Sequence, residues 1–475
     1  MLFDFVIIGS GPAGSILAWR LAKLNFNIAL VDQANSKKKI INDYFLPYVN
    51  KSPSHYNPVF SNRLGGNSVL WHSKVYLMSE KEFDTGEWPF NYEELRENSR
   101  ELSNLLNIEK PINLEKTEMD DKQNFYYHYS ERCKFRNIFK FLKISTFSNI
   151  SIFQDSSPIK VNYDDKFNAK SVVIKNKIDS NEIKLKINKS LIFCAGGIGN
   201  PHLTLNLVPN VNHNVGKFLS DHPHINVAKI NSKEFINYKK IFKPNIKNNI
   251  KEIVGDEKDE EVAAVYKENN TLSGVQLDYK RDPMRSLRSF FLRIPSSVIR
   301  KFLNIFSFFI TKLNGLIVKL GLVFGNYYQY SFEFFFSQSQ EENNKVFLDD
   351  KAVDEFGLKK VNINWDVSLK DQNNYNKILS IMVGKDGFLK NRNIKNEFIK
   401  NFYKSGGAGL HPSCTTKMGL DETKSVVDKN LKINNTKNVF ICGSSVFPIN
   451  GITNPTWTIM TLANRLSKYL SKYTQ

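Results

Sequence analysis

The stretch that decides the fold is "FDFVIIGSGPAGSILAWRLAKLNFNIALVDQ", Phe3 to Gln33. Phe5 to Ile8 form a short apolar run with strand character. Ile16, Leu17, Leu21 and Leu24 then recur at helical spacing, and Ile28 to Val31 form a second apolar run that ends at Asp32. The pattern is a βαβ unit of about 30 residues. Gly9, Gly11 and Gly14 give Gly-x-Gly-x-x-Gly between the first strand and the helix, with Pro12 and Ala13 completing the turn. The first glycine permits the tight turn and the second lets backbone approach a pyrophosphate. The third lets helix and strand pack closely, while the helix N-terminus offers aligned N–H groups to an anion. Asp32, at the end of the second strand, is placed to accept hydrogen bonds from ribose hydroxyls. These residues point to a bound dinucleotide. They leave open whether it is FAD or NAD.

Working outward, the chain has 475 residues, which favours two domains or one elaborated domain. Its 41% hydrophobic and 24% charged residues are ordinary for a globular protein. The net charge of +19 implies a generally basic surface or one that faces phosphates or anionic lipid. Nucleic-acid binding has no motif beyond that charge and is set aside. Cys133, Cys194, Cys414 and Cys442 lie far apart with no Cys-x-x-Cys pair, which suggests buried thiols in a reducing compartment. No basic leader or cleavage site precedes the first strand, so a cytoplasmic protein is expected, with peripheral attachment to the inner face of a membrane as an option.

The segment Lys37 to Arg63 carries Pro47, Pro53 and Pro58 and is expected to be a loop. A helix is expected from Tyr92 onward. "KSLIFCAGGIGNPHLTLNL" (189–207) has the form of a buried strand, a glycine turn and a helix start. "NVFICGSS" (438–445) is a second apolar strand with a glycine turn, and a final helix closes the chain. The "DHPH" cluster (221–224) offers two histidines on one strand face without a third ligand, so no metal is assigned. Pro283 to Phe332 contains no Asp or Glu and includes the apolar run 302–324, interrupted by Lys312 and Lys319. Central lysines argue against a membrane span. A lid or core element and a basic helix lying in the membrane interface both remain open for 285–325.

With the tail included, the chain resembles the glucose–methanol–choline (GMC) family of flavin-dependent oxidoreductases. The finger through Asp32 carries the resemblance, as do "RLGGNSVLWHSKVYLMSEKEFDTGEWPFNYEEL" (63–95), "FCAGGIGNPHLTLNL" with "NVGKFLSDHP", "ENNKVFLDDKAVDEFGLKKVNINW" (342–365), and "HPSCTTKMG" followed by "NVFICGSSVFPINGITNPTWTIMTLANRL". The resemblance implies an α/β fold: a Rossmann-like FAD-binding domain and a second α+β substrate domain built on an antiparallel sheet. The expected division is 1–75, 150–225 and 405–475 for the first and 76–149 and 226–404 for the second. It implies His411 as the catalytic base and Asn454 as the second active-site residue, in the Asn form similar to cholesterol and pyranose oxidases. It further implies Gly66, Asn67, Ser68, Ala195, Gly443, Ser444 and Pro455 as cofactor-binding positions beside those of the finger.

Some positions depart from the family pattern. Asn67 stands where a small hydroxyl residue is usual, and Ser413 and Cys414 replace the glycine region after the histidine. Leu70 occupies the place of the flavin-linking histidine of covalent members, with His72 two residues on, so non-covalent FAD is expected. The substrate implied is a small-molecule or lipid-linked alcohol, sugar-like by the Asn-Pro resemblance. A flavin-binding protein without turnover, acting mainly through membrane or partner binding, is the alternative.

Overall fold

The computed structural model describes residues 1–34, 48–50, 56, 58–71, 74–75, 77–78, 80–83, 85–108, 125–129, 131–132, 135, 137–230, 262–268, 271–280, 329–383, 406–408 and 410–473. Its centre is a seven-stranded sheet. The strand β1 (Leu2–Ile8) leads through the helix α1 (Pro12–Lys23) to β2 (Ile28–Val31). Five strands run parallel in the order Ile150–Phe153, β2, β1, Glu182–Phe193 and Val439–Ile441. An antiparallel pair, Ser156–Tyr163 and Ala169–Asn176, extends from the outer half of Glu182–Phe193. Phe5 to Ile7, Ile28 to Val31, Leu191 to Phe193 and Val439 to Ile441 are all fully buried. Continuous rather than alternating burial is what a parallel sheet covered on both faces requires, and it explains why these runs carry no polar residue.

The chain leaves β1 for β2 on one side, while Glu182–Phe193 pairs on the other. The crevice outside the carboxyl ends of these strands is therefore a topological switch point, where ligands bind in open α/β sheets.

A second, six-stranded antiparallel sheet runs in the order Gly406–Gly407, His224–Ile230, Gln329–Phe336, Thr271–Lys280, Val262–Glu268 and Phe125–Tyr129. A three-stranded sheet joins Lys345–Val353, Lys359–Asn364 and Tyr48–Asn50. Tyr48–Asn50, in the first stretch of the expected FAD domain, thus adds a strand to a sheet made otherwise of residues 345–364.

The helix Tyr92–Leu105 begins where its residues direct it. Asn91 caps it by accepting the Glu94 N–H at 2.9 Å. It packs on α1 and on the last helix, Thr456–Tyr473. Trp457 Nε1 donates to Ser99 Oγ at 2.8 Å, and Glu101 receives Arg20 at 2.7 Å and Lys468 at 2.8 Å. The buried face of residues 92–105 shares one hydrophobic core with α1 and the last helix. Leu95 and Leu102 need an apolar partner, and that core offers one. The basic run 285–325 lies outside the described residues. No helix among the described residues is long and apolar enough to cross a membrane.

Candidate active site

The first turn is built by contact. Gly9 adopts φ +104° against the Cys194 carbonyl oxygen, which a β-carbon would meet at 2.5 Å. A β-carbon at Gly14 would lie 1.8 Å from the Gly9 oxygen, so helix and strand close only over glycine. Gly11 differs: a β-carbon there would meet nothing within 4 Å. Open space thus lies before the N-terminus of a twelve-residue helix, with the Gly66 backbone passing close to Gly11. This cradle suits a pyrophosphate.

Asp32 bounds the same space. Its Oδ2 accepts the Ser10 N–H at 2.5 Å and its Oδ1 the Ala34 N–H at 2.7 Å. Burial raises its pKa and the Ser10 hydrogen bonds oppose that. Each oxygen keeps a lone pair for a ribose hydroxyl. Ser10, a variable position of the motif, ties three parts together. It holds Asp32 through its N–H, its carbonyl receives Ser15 Oγ at 2.6 Å, and its hydroxyl receives the Gly65 N–H at 3.0 Å.

The 65–70 loop presents backbone to this space. The Ser68 hydroxyl donates to Gly65 O at 2.6 Å and receives the Ile138 N–H at 3.2 Å. Asn67 is exposed, and its amide bridges Ser61 N–H at 2.8 Å and Val59 O at 2.7 Å. Both side chains brace the loop, which explains how an amide replaces a small hydroxyl residue at 67. Leu70 is exposed and offers no nucleophile. His72 lies outside the described residues.

Asn200, fully buried and silent in the sequence, joins the two remaining glycine turns. Its Oδ1 accepts the Ala195 N–H at 2.7 Å and its Nδ2 donates to Ser445 Oγ at 2.9 Å, beside Gly443 at φ +154°. Ser444 Oγ donates to Pro412 O at 2.7 Å, and Thr415 Oγ1 to Gly197 O at 2.6 Å. The cofactor turns and the histidine segment are thereby one hydrogen-bonded unit.

His411 is half-buried. Its backbone N–H donates to both carboxylate oxygens of the fully buried Asp221, at 3.2 and 3.3 Å, and the same carboxylate receives Tyr56 OH at 2.9 Å. The His411 ring lies 5.0 Å, centroid to centroid, from that of His222. His222 Nε2 contacts Asn450 O at 3.0 Å; a carbonyl only accepts, so this nitrogen carries the hydrogen. Burial, then the charges of His222 and His224, push the His411 pKa well down. Burial also lowers that of His222 against the opposing pull of Asp221. Both shifts disfavour the charged ring, and a neutral imidazole can accept a proton.

Asn454 is half-buried on the turn Gly451–Asn454. That turn reaches the histidines through Asn450, whose carbonyl holds His222 and whose amide donates to Asp221 O. Asp221 and His222, from the "DHPH" cluster whose two histidines lacked a third metal ligand, connect the two segments. Among the described residues no group of three His, Cys, Asp or Glu side chains is arranged to hold a metal ion. Pro455 is buried and its carbonyl receives the Ile459 N–H at 2.8 Å, which sets the first turn of the last helix.

Comparisons with known proteins follow this geometry. The family description GMC oxidoreductase matches residues 341–463, which include His411, Gly443, Ser444, Asn454 and Pro455. An NAD(P)-binding Rossmann-like domain matches residues 7–36, the finger through Asp32. No curated protein matches the sequence. Among solved structures, a formate oxidase from Aspergillus oryzae RIB40, studied for a mutation's effect on FAD modification, superposes with a TM-score of 0.64 at 12% identity. It covers 99% of this chain and 98% of that one. Pyridoxine 4-oxidase from Mesorbium loti gives 0.62 at 13%, covering 98% and 99%, and a further formate oxidase structure gives 0.63 at 13%, covering 99% and 98%. At such identities the likeness speaks to the fold. Matched segments at both ends, a cradle suited to a dinucleotide and a fold shared over nearly the whole length agree: residues 341–463 are similar to GMC oxidoreductases, and with the Rossmann-like match at 7–36 they point to an FAD-dependent oxidoreductase.

Proposed function

We propose that the protein oxidises the CH–OH group of an alcohol, with His411 as base and Asn454 as the residue that orients the substrate oxygen. The observation that carries this reading is the half-buried His411, whose backbone N–H is anchored on Asp221, the residue that the Asn450 amide joins to the turn bearing Asn454. Alcohol oxidation removes a proton from oxygen and a hydride from carbon. Bound FAD supplies the hydride acceptor, so the protein must supply the base and the geometry. A neutral imidazole takes the hydroxyl proton. The Asn454 amide offers both donor and acceptor, so it can hold an alcohol or an alkoxide without competing for the proton. Gly9, Gly11, Gly14, Asp32 and the 195–197 and 443–445 turns would hold the cofactor. Leu70, without a nucleophilic atom, supports non-covalent attachment.

A sugar-like alcohol is the first substrate, on the Asn-Pro form of the 454–455 pair. The test is anaerobic bleaching of the flavin by a panel of D-glucose, D-xylose, benzyl alcohol and cholesterol. His411→Ala should keep FAD yet lose about 10²-fold or more of turnover, the scale of general-base contributions. Full turnover in that FAD-loaded variant refutes the assignment. A lipid alcohol is the second reading, on the basic apolar run 285–325, and with it goes peripheral contact with the inner face of a membrane by a cytoplasmic protein. Flotation on anionic vesicles at low salt checks it; protein that stays at the bottom removes the membrane reading.

A further inference from the structure

Glu82 is the most deeply buried carboxylate near the site that the proposed chemistry leaves unused. It is 0% exposed. Its Oε1 accepts the N–H of Ile452 at 2.7 Å and of Thr453 at 2.9 Å, and its Oε2 accepts Thr453 Oγ1 at 2.7 Å. Gly451 adopts φ +59°, and a β-carbon there would lie 2.6 Å from Glu82 Oε1. The turn is therefore shaped around the carboxylate, and only glycine fits at its start.

The segment that carries Glu82 is itself fixed. Met78 N–H donates to Thr458 Oγ1 at 3.3 Å. Phe83 stacks on Trp88 at 4.7 Å between ring centroids, and Trp88 meets Phe447 at 5.6 Å. A charged group in such a place is costly unless donors surround it, and three donors from two adjacent residues do so here. An apolar side chain could fill the volume but could hold none of these groups. The next residue after this clamp is Asn454. Glu82 also lies close enough to His222 for its charge to favour that ring's protonated form.

We propose that Glu82 is a positioning residue for the oxidation: it holds the turn Gly451–Thr453 so that Asn454 is presented to the substrate beside His411. The proposal rests on the role of Asn454 given above. Glu82 touches neither substrate nor cofactor in this scheme and acts through the turn it holds.

The test uses the purified FAD-loaded enzyme and the panel alcohol that bleaches the wild-type flavin. Glu82→Ala should retain FAD, lower kcat about 10²-fold, the scale of a misplaced orienting group, and change KM less. Introduced on top of Asn454→Ala, the same change should cost little further, because residues acting as a unit are not additive. Hydrogen exchange at the Ile452 and Thr453 amides should accelerate in Glu82→Ala, a readout that needs no substrate. If Glu82→Ala does not fold, Thr453→Val removes one of the three contacts and should show a smaller loss of the same kind, again absent in the Asn454→Ala background.

Equal losses in both backgrounds, or unchanged kcat and unchanged exchange, overturn the proposal. Turnover untouched by Asn454→Ala instead removes the reading on which it stands. Turnover lost in Asn454→Ala but kept in Glu82→Ala, with exchange unchanged, removes the role of Glu82 alone.

Discussion

A methyl group at position 14 would stand 1.8 Å from the Gly9 carbonyl oxygen. That contact cannot relax without moving backbone, since both atoms belong to the turn that forms the cofactor cradle. Gly14→Ala should therefore bind FAD at least about tenfold more weakly, roughly 1.4 kcal/mol. Flavin fluorescence released on dilution measures it, and wild-type retention of FAD would show that the turn has slack. The glycines were legible because each answers a local demand of a strand–turn–helix unit. Glu82, Asp221 and Asn200 were not. Glu82 meets Thr453 across 371 positions, and Asp221 meets His411 across 190. Nothing in "SEKEFD" distinguishes a buried carboxylate from a solvated one, because its donors are brought by distant chain. Asn67 shows the converse: a position named by resemblance has its amide directed to the 59–61 backbone.

At the scale of elements, the helix Tyr92–Leu105 shows how a cap and an apolar stripe specify a helix without specifying its neighbour. Asn91 satisfies one orphan N–H at the helix start, and Asn91→Ala should cost about 1 kcal/mol. Thermal unfolding of the FAD-loaded protein should show a lower midpoint with the flavin retained at ordinary temperature. An unchanged midpoint would mean that the Arg465–Glu94 ion pair, at 2.6 Å, holds this end without the cap. The helix from Tyr92 onward was visible in the sequence. Its docking on α1 and the last helix was not, since Ser99 and Trp457 meet only after both chain ends have folded together. Tyr48–Asn50 is a similar case, a three-residue strand whose parallel partner lies more than three hundred residues on.

Among the described residues, His202, His222 and His411 dominate the response to mild acid. Burial lowers the pKa of His202, His222 and His411. The unfolded chain, with histidines near 6.5, then binds more protons than the folded one, so stability is full above that value and falls as pH drops below it. Burial raises the carboxyl pKa of Asp32, Asp221 and Asp371, and these groups oppose the loss as the folded state takes up their protons at lower pH. The unfolding midpoint should be level from about pH 8 to 7 and decline from about pH 6.5 to 5. A midpoint that holds level to pH 5 would mean that the histidines are charged in the folded state. The same neutrality should carry the acid limb of kcat/KM below the ordinary histidine range.

By itself the sequence determined the βαβ unit, its glycine turn and the terminal Asp32, because strand burial, helical spacing and φ > 0 are demands met within about thirty residues. Motifs at both ends also carried the resemblance to GMC oxidoreductases, which residues 341–463 match. Tertiary structure alone decided which polar groups hold those motifs in place. A buried carboxylate or amide is stable only where folding delivers its donors, and the donors to Glu82, Asp221 and Asn200 arrive from other elements of the chain.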